Sequence, residues 1–116
     1  MRRHLLQWQW QLYPDNHHDR VNLMLHVATV PLFMTGTLAL VLAPWLGLWL
    51  LAAGPAAMVT AMALQGRGHK RETTPPVPFA GPADVLARIF VEQWITFPRF
   101  VVSGAWAAAW RGRRVS

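Results

Sequence analysis

Residues able to bind or polarise a ligand gather at the two ends of one apolar stretch. Tyr13, His17, Asn22 and His26 stand before and just inside its start, and His69 and Glu72 stand just beyond its end. Asn22 and His26 are four apart and share a helix face. His17, nine before His26, would be about half a turn out of phase on one continuous helix. If Asp19 caps the helix, His17 instead falls in a turn that can fold back over that face. His69 and Glu72 are three apart and point the same way where the backbone is helical. Neutral imidazole suits iron, zinc, copper or nickel, and two histidines with one carboxylate suit non-haem Fe(II) with positions left for oxygen. Spacing alone leaves the metal open. Each residue also has a plainer reading: His26 as a hydrogen-bonded core histidine, Glu72 as an ion-pair partner of Lys70 or Arg71, Tyr13 as an interfacial aromatic. His4 and His18 read as solvated or facing lipid head groups.

These residues can meet only if the stretch between them folds back. Residues 21–66 contain no Asp, Glu, Lys or Arg, and that run is twice the roughly 20 residues one transmembrane helix needs. We therefore expect an all-α, single-domain membrane protein built on a helical hairpin, with spans over residues 20–43 and 46–66. Pro44 and Gly47 mark the turn, and Trp45 and Trp49 anchor it at the interface. Gly54-Pro55 is expected to kink the second span. Residues 1–15 read as an interfacial aromatic segment broken at Pro14, and residues 67–82 as a basic loop running into a proline-rich connector. Residues 83–110 read as an amphipathic, interfacial helix, with Pro82 in its first turn and Pro98 interrupting it. On that helix Asp84, Arg88 and Glu92 form an i,i+4 polar line.

Composition points the same way. Hydrophobic residues make up 53% of the 116 and charged residues only 14%, well below the roughly 25% of soluble domains. No secretory signal is evident, because Gln7, Gln9 and Gln11 interrupt the segment that would have to be apolar. With no cysteine, disulfides and thiolate metal sites are excluded. The net charge of +6 is explained by topology and by anionic lipid head groups, and no motif supports nucleic-acid binding. Arg2, Arg3 and Arg20 precede the hairpin, and Arg67, Lys70, Arg71, Arg111, Arg113 and Arg114 follow it. The positive-inside rule therefore puts both termini, and every histidine, on the cytoplasmic side. No nucleophile elbow or phosphate-cradling loop is present, so an enzyme of this kind would work through a metal.

The pattern Tyr13-x3-His17-x4-Asn22-x3-His26-x4-Pro31, followed by Gly68-His69 and Glu72 before a run of prolines, resembles the family of the fungal endoplasmic-reticulum 2-hydroxy fatty acid dioxygenase, in a small bacterial-type form. The likeness extends from Tyr13 to about Phe100. It implies an integral protein of the bacterial inner membrane that uses Fe(II) and O2 to shorten a 2-hydroxy fatty acid by one carbon, released as CO2. It further implies His17, His26 and His69 as metal ligands, and Glu72 as a fourth ligand or an orienting group. Tyr13 and Asn22 would position ligand or substrate. The alternative is a small integral membrane protein without enzymatic activity, serving a structural or partner-binding role.

Overall fold

A computed structural model describes residues 4–112. It is helical, with no strand among the described residues. The helices are α1 (Leu5–Asn16), α2 (Arg20–Leu46), α3 (Leu50–His69), α4 (Pro82–Val91), a π-helical turn (Glu92–Thr96), α5 (Phe97–Val102) and α6 (Ala105–Trp110).

The capping expectation for α2 is met: Asp19 accepts from the Asn22 backbone N–H at 3.0 Å. Pro14 does not end α1, which runs on to Asn16. Pro14 deprives the Trp10 carbonyl of its i+4 donor and crowds it, but the helix runs on for two more residues past it. Pro44 falls in the last turn of α2, and Gly47, at φ 145°, ends that helix. The second helix begins later than expected and extends to His69. Residues 67–69 are therefore helical rather than a loop, which puts His69 at a fixed place on a rigid element.

α2 and α3 make the most extensive helix–helix contact in the molecule. Paired positions run Asn22 with Gly68, Thr29 with Gln65, and Gly36 with Gly54, the antiparallel sense. At Gly36 and Gly54 the two backbones touch directly. A Cβ on Gly36 would lie 2.6 Å from the Gly54 carbonyl oxygen, and one on Gly54 would lie 2.7 Å from that of Gly36. Close approach through small residues is how helices pack where lipid removes the hydrophobic incentive.

Of this pair only α2 is long and apolar enough to cross a membrane, with a mean hydropathy of 1.8 over its most apolar window. α3 does not qualify, since alanine and glycine dilute its aliphatic content and Gln65 and Arg67 fall within it. Only 28% of the α2 window is buried, so most of its apolar surface faces outward. The turn joining the helices is more exposed still: Trp45 is 77% accessible and Trp49 70%.

At the other end of the hairpin, α1 and the segment from α4 to α6 fold over the two helices. Tyr13, Leu23, Val30, Phe97, Phe100, Ala105 and Ala109 form the core there, with Trp10 and Trp106 packed against it. The C-terminal helix is broken at other places than the expected one. It is interrupted by the π turn and again at Gly104, whose φ is +87°, and not at Pro98. Proline at 98 cannot donate to the Trp94 carbonyl and crowds it, and a widened turn directly before it meets that need. Arg2, Arg3, Arg113 and Arg114, which contribute to the charge pattern, lie outside the described residues.

Candidate metal centre

Four elements converge beneath this cap. His17 sits in the bend between α1 and α2, His26 in the second turn of α2, His69 at the last residue of α3, and Glu92 at the first residue of the π turn. One ligand atom from each lies within 4.8 Å of the others. The three imidazoles stand nearly perpendicular to one another. Their centroids are 4.8 Å apart for His17 and His26, 4.7 Å for His17 and His69, and 5.0 Å for His26 and His69, at 82–89°. Such an arrangement resembles three faces meeting at a corner.

Hydrogen bonds settle the tautomers of two of these rings. His17 Nδ1 is 2.9 Å from the Tyr13 carbonyl oxygen, and His26 Nδ1 is 2.9 Å from that of Asn22. A carbonyl can only accept, so each Nδ1 carries the proton. Each neutral ring then presents a bare lone pair at Nε2. Those lone pairs face a carboxylate: Glu92 Oε2 lies 3.3 Å from His17 Nε2 and 3.5 Å from His26 Nε2. Neither Nε2 has a hydrogen-bond partner, and His69 Nδ1 is also buried without one. Acceptors aimed at an acceptor repel one another, and leaving each buried group unsatisfied costs about 1–3 kcal/mol. A shared cation removes both penalties.

Protonation of a ring is the other remedy, and burial works against it. Burial lowers the His17 pKa below its ordinary value, more than the neighbouring Glu92 carboxylate raises it. Burial and the adjacent His17 bring His69 down to about 4. Burial raises the Glu92 carboxyl, but the facing His17 and His26, acting as hydrogen-bond donors and positive charges, bring it well below the ordinary range, so the carboxylate is ionised when a proton or a cation lies between it and those rings. With a cation in place of that proton, the group offers three imidazoles and one carboxylate, a set that fits a divalent ion of the borderline kind. Tyr13 completes it. Its ring stacks on His17 at 3.7 Å, and its hydroxyl donates to Glu92 Oε2 at 2.8 Å. Burial and Glu92 push its pKa well above the usual range, so it remains a donor.

No protein-family model, curated protein or solved structure matches the chain. The site is therefore read from its own chemistry.

His17, His26, His69 and Tyr13, four of the residues singled out in the sequence, come together here, and two others do not. Glu72 lies outside the group. Its buried carboxylate accepts from the backbone N–H groups of His18 (3.1 Å) and Asp19 (2.9 Å) and from Asn22 Nδ2 (2.7 Å). Because α3 ends at His69, the chain has left the helix by residue 72, and the i,i+3 alignment with His69 does not form. Asn22 is fully buried and divides its amide N–H groups between Glu72 and the Asn16 carbonyl. It acts on the centre through its backbone oxygen, which anchors His26. Gly68 makes this close packing possible, since a Cβ there would run into the Asn22 side-chain oxygen. His18 is partly exposed, with Nε2 3.4 Å from Glu72 Oε1.

Glu92 was missed because its i,i+4 line with Asp84 and Arg88 reads as a solvated face. All three lie inward: Asp84 and Arg88 are buried, and the Glu92 side chain is only 14% exposed. One signal was available, in that Glu92 and Gln93 stand together amid Phe90, Trp94 and Phe97.

Beside the centre lies a cavity of about 460 Å3. Its walls are largely apolar, from Trp8, Leu12, Met62, Val77, Phe79 and Ile89, while His17, His69, Glu92 and Lys70 also contribute. The proline-rich connector forms one side of it. Arg88 holds that connector by donating to the Val77 and Pro78 carbonyls at 2.7 and 3.2 Å, and its guanidinium lies between the rings of Trp8 and Phe79.

Proposed function

We propose that the protein is a membrane-embedded, metal-dependent dioxygenase that binds Fe(II) at His17, His26, His69 and Glu92 and acts on 2-hydroxy fatty acids. The observation that carries this reading is the pair of buried Nε2 lone pairs aimed at a carboxylate oxygen, which only a cation or a proton can reconcile. Bound Fe(II) would supply a redox-active centre able to engage O2. The chain holds His17 and His26 in one tautomer and directs the Tyr13 hydroxyl at the Glu92 carboxylate. A largely apolar cavity next to a polar centre suits an amphipathic acid, its chain against Trp8, Leu12 and Phe79 and its head towards the histidines. The reaction balances without an external reductant. R–CH(OH)–COOH and O2 give R–COOH, CO2 and H2O, the substrate losing the four electrons that O2 accepts.

The membrane setting is part of the proposal. α2 and α3 would enter the bilayer together, the exposed Trp45 and Trp49 turn leading, and the metal centre would remain at the cytoplasmic interface with both termini. The molecule is 45 Å long, comparable to the roughly 40–45 Å of a bilayer with its head groups.

Metal analysis of detergent-purified protein tests the centre. Wild type should hold one equivalent of iron, and His17→Ala, His26→Ala, His69→Ala and Glu92→Ala should each lose it. Incubation with 2-hydroxypalmitate should then yield the acid one carbon shorter, only in the presence of O2. Wild type without metal would overturn the enzymatic reading in favour of a structural or partner-binding membrane protein. Metal without the shortened acid would overturn the substrate alone.

A further inference from the structure

A second polar cluster lies one layer below the ligands, and each of its members is in register with one of them. Thr29 follows His26 by three residues on α2, Gln65 precedes His69 by four on α3, and Gln93 directly follows Glu92 in the π turn. All three are buried, at 3%, 1% and 0% exposure. Gln65 and Gln93 exchange both amide hydrogen bonds: Gln65 Nε2 donates to Gln93 Oε1 at 2.9 Å, and Gln93 Nε2 donates to Gln65 Oε1 at 2.8 Å. Gln65 Nε2 also donates to Thr29 Oγ1 at 3.0 Å.

The direction of this network is determined at one end. Thr29 Oγ1 donates its proton to the Leu25 carbonyl, so towards Gln65 it can only accept. That fixes which end of the Gln65 amide faces Thr29, and through it the orientation of Gln93. Among the described residues these are also the only side-chain hydrogen bonds that leave α3. α3 packs broadly on α2 but hardly at all on the π turn, so the amide couple is the main tie between the helix that carries His69 and the turn that carries Glu92.

We propose that Thr29, Gln65 and Gln93 are positioning residues that set the distances between His26, His69 and Glu92 before any metal arrives. The proposal rests on the metal-centre reading above. Buried polar groups in an apolar setting are expensive unless fully satisfied, and two facing leucines would fill similar space without that demand. Helix packing alone does not require an amide couple at this place. Holding a carboxylate on a separate, widened turn in line with two helices does, because apolar contacts tolerate sliding and paired amides do not. Groups that orient metal ligands typically matter by roughly 10–100-fold in affinity.

The test is titration of detergent-purified, metal-free protein with Co(II), read by its visible d–d absorption, for wild type, the double variant Gln65→Leu/Gln93→Leu, and Thr29→Val. Replacing both partners of a buried pair by apolar groups of similar shape is close to neutral for folding, so circular dichroism and unfolding midpoint should stay near wild type. The double variant should bind Co(II) roughly 10–100-fold more weakly with an altered d–d spectrum, and Thr29→Val should shift in the same direction by a smaller factor. A purely structural role would move the unfolding midpoint and leave the spectrum alone. Affinity within twofold of wild type with an unchanged spectrum would overturn the clamp and leave the centre standing. If the double variant does not fold, an unchanged spectrum in Thr29→Val overturns it equally. Wild type that binds no Co(II) would remove the centre, and the clamp with it.

Discussion

Replacing Glu72 separates a carboxylate that holds the scaffold from one proposed to hold a metal. Its side chain is wholly inaccessible and collects three donors: the His18 and Asp19 N–H groups ahead of α2, and the Asn22 amide. Hydrogen bonds to a charged group contribute about 1.5–3 kcal/mol each. The three share one acceptor and are not additive, so Glu72→Ala is expected to cost about 3–5 kcal/mol by analogy with breaking other buried charge networks. Glu72→Gln retains one acceptor oxygen but turns an NH2 towards a donor, and should cost about half as much. Reversible unfolding in mixed micelles, with and without added metal, gives both numbers. Glu92→Gln supplies the contrast. It removes the charge that faces two lone pairs, so the metal-free protein should lose little or gain stability, while metal binding should vanish. The reasoning is refuted if Glu72→Ala unfolds within 1 kcal/mol of wild type, a margin below any single one of those bonds, and fails to bind metal. That outcome would return Glu72 to the ligand set.

Gly36→Val should destabilise the hairpin by about 3 kcal/mol or more, because its Cβ would meet the Gly54 carbonyl and overpacking against backbone has little room to relax; an unfolding midpoint equal to wild type would contradict the close crossing. Asp19→Ala should cost about 1 kcal/mol by loss of the α2 cap. Burial alone would raise the Asp19 carboxyl, but the Asn22 N–H and Arg71 hold it below its ordinary value. Its contribution is therefore complete above the unfolded value of about 3.9 and disappears as pH falls through the lower folded one. The difference between wild type and Asp19→Ala should stay constant from about pH 5 to 8 and shrink only below about 4; a difference that grows on acidification would refute the sign.

The imidazoles were legible in the sequence because a charge-free run flanked by polar residues admits few ways to fold, and a return of the chain brings its ends together. The Asp19 cap was legible because a carboxylate three residues before a buried Asn has a local partner in the helix N-terminus. Glu92 was not, because helical periodicity reports which residues share a face without saying whether that face meets water or protein. Here the C-terminal segment lies across the hairpin, and its polar line turns inward. Glu72 misled for a related reason: spacing carries direction only while the helix continues, and α3 stops three residues short. The two-span expectation rested on counting uncharged residues, whereas α3 owes its lack of charge largely to alanine and glycine, which are small more than they are oily.

The carboxylate of the centre is borne by the segment made after the hairpin. As the chain leaves the ribosome, three uncharged nitrogens can assemble first, a nest with little grip on a divalent ion. The negative charge that would complete a metal site comes only with the π turn that carries Glu92. If the centre binds an ion as proposed, capture would wait for that segment, and a product cut short before Glu92 would bind the metal far more weakly.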